Sequence, residues 1–174
     1  MSVVKFAVAA TVCWLAASPA LAQDAKPTDP QIAHIAYTAG QIDIEAAKLA
    51  LDKSKNNAVR TFAESMVRDH TAVNDKALAL LKKLNVTPQD NDTSKSLAKQ
   101  AAEKKTELSR LSGAQFDKAY AENEVAYHKT VNGALQTVLI PSASNAELKD
   151  LLQTGLKVFQ GHQQHAEHLA KDLK

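Results

Sequence analysis

Residues Ala114–Val138 read AQFDKAYAENEVAYHKTVNGALQTV. Tyr120, Glu124, Tyr127, His128, Val131, Leu135 and Val138 recur at three- and four-residue steps. At about 100° per residue they share one face of a helix. That face is a core stripe except at Glu124 and His128, a carboxylate and an imidazole one turn apart.

Three further segments carry stripes able to cover it. A first helix is expected from about Pro30 to Ser54, with Asp29 as its cap and Ile32, Ile35, Ala36, Ala39, Ile42, Ala46, Leu49 and Ala50 inward. Asp43 and Glu45 flank that stripe, and His34 lies off its centre at the surface. After the polar break at residues 53–57, a second helix runs to about Asn85. Its stripe of Val59, Phe62, Ala63, Met66, Val73, Ala77, Leu80, Leu81 and Leu84 includes His70, with Asp69 at its edge. A last helix starts near Ala146 and carries Leu148, Leu152, Gly155, Phe159, His162, Ala166 and Leu169 inward. His165 stands one turn from His162 and slightly aside, and His168 faces water. Short breaks between such helices make antiparallel neighbours.

The segment Val86–Ser94, VTPQDNDTS, is the clearest loop, with Thr93 or Ser94 able to cap a helix after it. Residues 95–111 are helical in pattern but polar, which predicts a shorter helix on the bundle surface. Ser112 and Gln115 have capping-box spacing before the opening helix, and Ile140–Asn145 reads as the turn after it. The fold expected is all-α: an up-down four-helix bundle with an additional short helix between the second and third long ones.

Residues 1–22, MSVVKFAVAATVCWLAASPALA, are a different material. Lys5 is their one charge, a short apolar run follows, and the end is small-x-small. This is the pattern of a secretory signal peptide cleaved after Ala22; a span needs about 20 apolar residues. Cleavage removes Lys5 and no acidic residue, leaving 20 basic against 19 acidic residues. It also removes Cys13, the chain's one cysteine, so the mature chain has no disulfide or thiolate ligand. Residues 23–29 form a mobile polar leader, and 30–174 the bundle domain. Interleaved charges near balance are a solvated surface and not a nucleic-acid footprint. No segment after the signal is apolar enough to span a bilayer, so the expected location is the periplasm.

The polar residues on apolar lines bound the chemistry. Facing helices of a bundle can aim imidazoles and carboxylates at one centre. The candidates are Asp43 or Glu45, His70 beside Asp69, Glu124 and His128, and His162 with His165. Imidazole with some carboxylate suits zinc, copper, nickel or iron. No Glu or Asp has a His three residues later, so the Glu-x-x-His grammar of di-iron bundles is missing. The alternative is metal-free: core histidines hydrogen-bonded to neighbouring carboxylates or hydroxyls, in a structural or stress-related module presenting its surface to an envelope protein partner. No nucleophile turn, glycine-rich phosphate loop or HExxH motif assigns a catalytic residue.

Taken in order, IDIEAAKLAL (Ile42–Leu51), MVRDH (Met66–His70) and LSGAQFDKAY (Leu111–Tyr120), with a histidine downstream and another central in the last helix, resemble the domain-of-unknown-function family 4142. The resemblance spans about Asp29 to Leu173. It implies a ferritin-like, exported bacterial bundle, often labelled an outer-membrane protein, with no established activity. The family's recurring polar residues fall on Asp43, Glu45, Asp69, His70, His128 and His162; His165 stands where the family usually has an apolar residue. A chain without alternating strands is no outer-membrane barrel, so the label implies peripheral association with that membrane.

Overall fold

The computed structural model describes residues 26–173. The signal peptide read at 1–22 lies outside the described residues, as does the leader up to residue 25. Helix α1 spans Asp29–Lys53, α2 Asn57–Lys83, α3 Asp92–Ser109 and α4 Gly113–Ala134. A π-helical segment, Leu135–Leu139, continues α4 into a last short turn, α5 (Ile140–Ser142), and α6 spans Ala146–Asp172. The described residues form a ferritin-like four-helix bundle of α1, α2, α4 and α6; the additional helix α3 carries the chain back from the end of α2, so that α4 starts beside the end of α1.

Local chemistry sets the boundaries. Thr28, not Asp29, caps α1, in a reciprocal box with Gln31. Asp29 instead accepts the backbone N–H groups of Ser144 and Asn145 at 2.8 and 2.9 Å, tying the start of α1 to the start of α6. Asn56 caps α2 and Asn145 caps α6 through their side-chain oxygens. Asn91 caps α3, ahead of the expected residues, and Ser94 returns the bond. Ser112 is the N-cap of α4 but makes no side-chain cap bond. Gly113 holds φ +55° there, a left-handed conformation that glycine adopts without strain.

The third long helix also ends differently from its expected turn at Ile140. In the π segment, Ile140 N–H bonds to Leu135 O. The wider turn returns Leu139 to the core and leaves Val138 44% exposed, although a regular stripe places Val138 inward.

The core has two apolar halves. One gathers Ala47 and Ala50, Val59, Phe62, Ala63 and Met66, Leu108, Phe116, Tyr120 and Ala166. There Phe116 and Tyr120 stack at 6.1 Å, and Phe62 meets Tyr120 edge-on at 6.2 Å. The other holds Ile32, Ile35, Leu81, Leu135, Leu139, Leu148, Leu152 and Phe159. Between them the bundle places most of its buried polar residues: Asp43 on α1, His70 and Asn74 on α2, Glu124, His128 and Asn132 on α4, and His162 on α6. A polar layer therefore crosses the middle of the bundle. Buried polar groups cost about 1–3 kcal/mol each when left unsatisfied, so this layer is the costly part of the fold.

Candidate metal centre

Each long helix brings its polar residue into the layer by the same spacing that builds its apolar stripe. On α2, His70 follows Phe62, Ala63 and Met66 along one buried line. On α4, Tyr120, Glu124, His128 and Asn132 recur every four residues. On α6, His162 falls between Phe159 and Ala166. On α1 the buried line is Ile35, Ala39, Asp43, Ala47 and Ala50. Asp43 thus occupies the buried face itself, while Ile42, expected inward, is only half-buried.

Two overlapping groups of side chains result. His70, His128 and His162 each offer a ring nitrogen, and these lie within 4.8 Å of one another. Asp43, Glu124 and His128 do the same with two carboxylate oxygens and a ring nitrogen. All five residues are buried.

The hydrogen bonds fix which atoms are free. His128 Nδ1 donates to the Glu124 backbone carbonyl at 3.0 Å. That leaves the Nε2 lone pair buried with no partner. His162 Nε2 meets Asp69 Oδ2 at 3.0 Å, and its Nδ1 faces His70 Nε2 at 3.3 Å. His70 Nε2 also lies 3.5 Å from Asp43 Oδ2. Asp43 Oδ1 and Glu124 Oε2 are likewise buried without a donor. Phe159 stacks on the His70 ring at 4.4 Å and shields it from one side.

Burial and mutual proximity hold the cluster neutral. Burial pushes His70 down to about 2, helped by the neighbouring His128 and His162 rings. Burial likewise lowers His128 to about 4, against the upward pull of the Glu124 carbonyl. His162 is also lowered by burial, opposed by Asp69. Burial raises Glu124 to about 8. Asp43 is raised by burial and by the Glu124 carboxyl that faces it. Neutral imidazoles, with the His128 Nε2 lone pair free, beside protonatable carboxyls are a donor set that transition metals displace protons to reach.

The remaining expected residues lie outside this cluster. Glu45 is exposed and pairs with Lys105 of α3 at 2.9 Å. Asp69 stands behind His162, gripped by Arg68 through two bonds of 2.8 and 3.1 Å. Those bonds lower its carboxyl below the usual range. His165 is exposed and lays its ring edge-on to Phe62 at 5.0 Å. His34, read as a surface residue, is half-buried with Nδ1 unpartnered. Asn74 and Asn132 are polar members of the layer that the sequence pattern does not single out; Tyr127 is already on the expected inward face. Tyr127 donates to the Ala39 carbonyl at 3.1 Å, and Asn132 donates to Gln163 at 3.0 Å. The four-residue steps from His70 to Asn74 and from His128 to Asn132 are the signal that could have found the two asparagines.

A family model described as "Domain of unknown function (DUF4142)" matches residues 15–169. Among solved structures, CopM in the Cu(II)-bound form is similar, with a TM-score of 0.64 at 14% identity; the match covers 85% of this chain and 100% of that one. A DUF305 fragment from Deinococcus radiodurans is similar with a TM-score of 0.68 at 17% identity, covering 84% of this chain and 99% of the fragment. At these identities the likeness is one of fold. No curated protein matches the sequence. No helix among the described residues is long and apolar enough to cross a membrane.

Proposed function

The chain belongs to the DUF4142 family, and on that footing we propose that it is an exported bundle protein that binds a transition-metal ion in its polar layer. His70, His128 and His162 supply imidazole nitrogens, and Asp43 and Glu124 supply charge-compensating oxygens. The observation that carries this reading is the convergence of three buried, neutral imidazoles from three helices within 4.8 Å. An ordinary core histidine has a hydrogen-bonding neighbour at each polar atom. Here His128 Nε2, Asp43 Oδ1 and Glu124 Oε2 have none. Three imidazoles with carboxylate suit copper, zinc, nickel or iron, and a protein of the same fold is known with Cu(II). Glu45 and His165 are not in the ligand set on this reading. Asp69 orients His162 from behind, as carboxylates commonly do for metal-bound histidines. Export to the periplasm rests on the signal-peptide pattern of residues 1–22.

A second reading draws on the bonds from His162 to Asp69 and His70. These satisfy both ring nitrogens of His162 and Nε2 of His70 without an ion, as in a metal-free envelope module. Metal content of the untagged chain, with melting measured with and without chelator, separates the two. A tight metal that binds only the native state raises stability by RT ln(1 + [L]/Kd). The metal reading predicts about one equivalent retained on gel filtration and a melting point that falls with chelator. An unchanged melting point with zinc, copper, nickel and iron would leave the metal-free reading.

A further inference from the structure

A cleft of about 950 Å³ opens between α1 and the far end of α4, and α3 forms part of its rim. It has a structural cause. The α1 wall sets the small residues Ala33, Ala36, Ala39 and Gly40 between the larger Ile35 and Tyr37, and the small ones leave space unfilled. The opposite wall is the π segment, whose Leu135, Val138 and Leu139 line the gap. π segments interrupt a helix at some cost and recur at functional sites. The size falls in the range of small-molecule pockets, roughly 300–1,000 Å³.

The rim is exposed and polar, with Thr93, Ser96 and Gln100 of α3. The buried end is different. There the lining includes Asp43, Phe159 and Asn74. Asn74 is only 4% exposed, and its Nδ2 has no hydrogen-bond partner. It packs against Gly40 so closely that a β-carbon there would stand 2.5 Å from Asn74 Oδ1. A missing side chain on α1 thus makes room for an amide whose N–H₂ group nothing among the described residues satisfies. An unpaired buried donor costs about 1–3 kcal/mol, and a ligand acceptor would recover it.

We propose that this cleft binds an elongated, uncharged, mainly apolar molecule whose single carbonyl or hydroxyl oxygen accepts a hydrogen bond from Asn74 Nδ2. The apolar walls take the chain of the molecule and the amide fixes its polar end. A carboxylate at that end is disfavoured, because its charge would be desolvated among apolar walls with a single neutral amide as partner. The site does not depend on a bound metal.

The test uses the full chain, in the presence of chelator, with the uncharged fluorophore N-phenyl-1-naphthylamine as probe. Saturable binding is expected, with displacement by a long-chain methyl ketone at about tenfold lower concentration than by the matching alkane. The fatty acid of equal length should compete no better than the alkane. Ala36→Trp, on the cleft wall, should abolish probe binding with helicity retained. Asn74→Leu should leave probe binding and make ketone and alkane equal. Asn74→Ala, which has no donor, should do the same and serves if the leucine variant fails to fold. Absence of saturable binding, a ketone preference surviving both Asn74 variants, or strongest displacement by the fatty acid would each overturn the proposal. Chelator is present throughout, so failure here is distinguishable from failure of the metal reading.

Discussion

His162 Nδ1 lies 3.3 Å from His70 Nε2, and the opposite nitrogen of His162 meets Asp69 at 3.0 Å. Asp69 accepts, so His162 carries its hydrogen on Nε2 and its Nδ1 is the acceptor. His70 must then carry its own hydrogen on Nε2. A metal at the cluster needs the lone pair of that same atom. Metal loading is therefore expected to switch His70 from the Nε2–H to the Nδ1–H tautomer and leave His162 in the same one. Side-chain ¹⁵N shifts, recorded with and without zinc, report this directly. A His70 signal unmoved at saturating zinc would contradict the assignment.

His70→Ala and His162→Ala should each remove metal-dependent stabilisation, while His168→Ala, in water at the far end of α6, should not. Without metal the first two variants should still lose about 1–3 kcal/mol, because each leaves a buried partner unsatisfied. Urea unfolding with and without metal separates the two effects.

Asp69 touches His162 but is absent from the cluster of ligand atoms. Asp69→Ala is expected to weaken metal affinity by about 10–100-fold, the usual consequence of removing a ligand's orienting carboxylate. Glu45→Ala breaks only an exposed pair with Lys105 and should leave affinity unchanged. Competition against a chelator of known affinity measures both.

The metal-free chain should show an unusual pH response. His70 and His128 have native values of about 2 and about 4, below the ordinary ~6.5 of the unfolded chain. The unfolded state therefore binds more protons below pH ~6.5, and stability is lost as pH falls from there. Glu124, at about 8, works in the opposite sense from the ordinary ~4.3 upward. The native state holds its proton, the unfolded state does not, and stability declines as pH rises toward 8 by up to ~1.4 kcal/mol per unit. Between pH 6.5 and 8 the histidine terms are flat, so the decline should be visible. Glu124→Gln should shrink the decline by removing that group's own contribution, while Asp43 stays raised, chiefly by burial. Urea unfolding at both pH values, with chelator, tests this; equal declines in both proteins would refute it.

Gly40 sits inside α1, where alanine is ordinarily better by about 1 kcal/mol. Contact with Asn74 opposes that gain. Gly40→Ala should therefore fail to stabilise the protein alone, yet stabilise it by about 1 kcal/mol in an Asn74→Ala background. A double-mutant cycle by thermal or urea unfolding measures the coupling.

The bundle is legible in the sequence because its helices are long and their apolar spacing is strict, as in Val59–Leu81 and Leu148–Leu169. His70, His128 and His162 stand out because each interrupts such a line. Asp43 is harder to place. It neighbours Ile42 and Ile44, and a stripe drawn through the larger side chain puts the carboxylate at the edge. The structure buries Ile44 and turns Asp43 inward, a choice set by packing of α1 on α2 and α4. Glu45 and Asp43 flank that stripe on either side, and burial separates them: Asp43 lies in the core, while Glu45 is exposed and pairs with Lys105. The π segment is not legible, since a single widened turn leaves no periodic signature; Val138 is misplaced as a result. The cleft arises from small residues on one helix facing that turn, a relation between distant segments that spacing along the chain does not encode.

The five clustered side chains come from α1, α2, α4 and α6, and 119 positions separate Asp43 from His162. No two adjacent helices contain the set. An ion held by it would find no complete site on a nascent or half-assembled chain, and would be captured only after the C-terminal helix had docked. Loading would then act as a checkpoint on completion of the bundle, discriminating finished molecules from unfinished ones in the compartment where they fold.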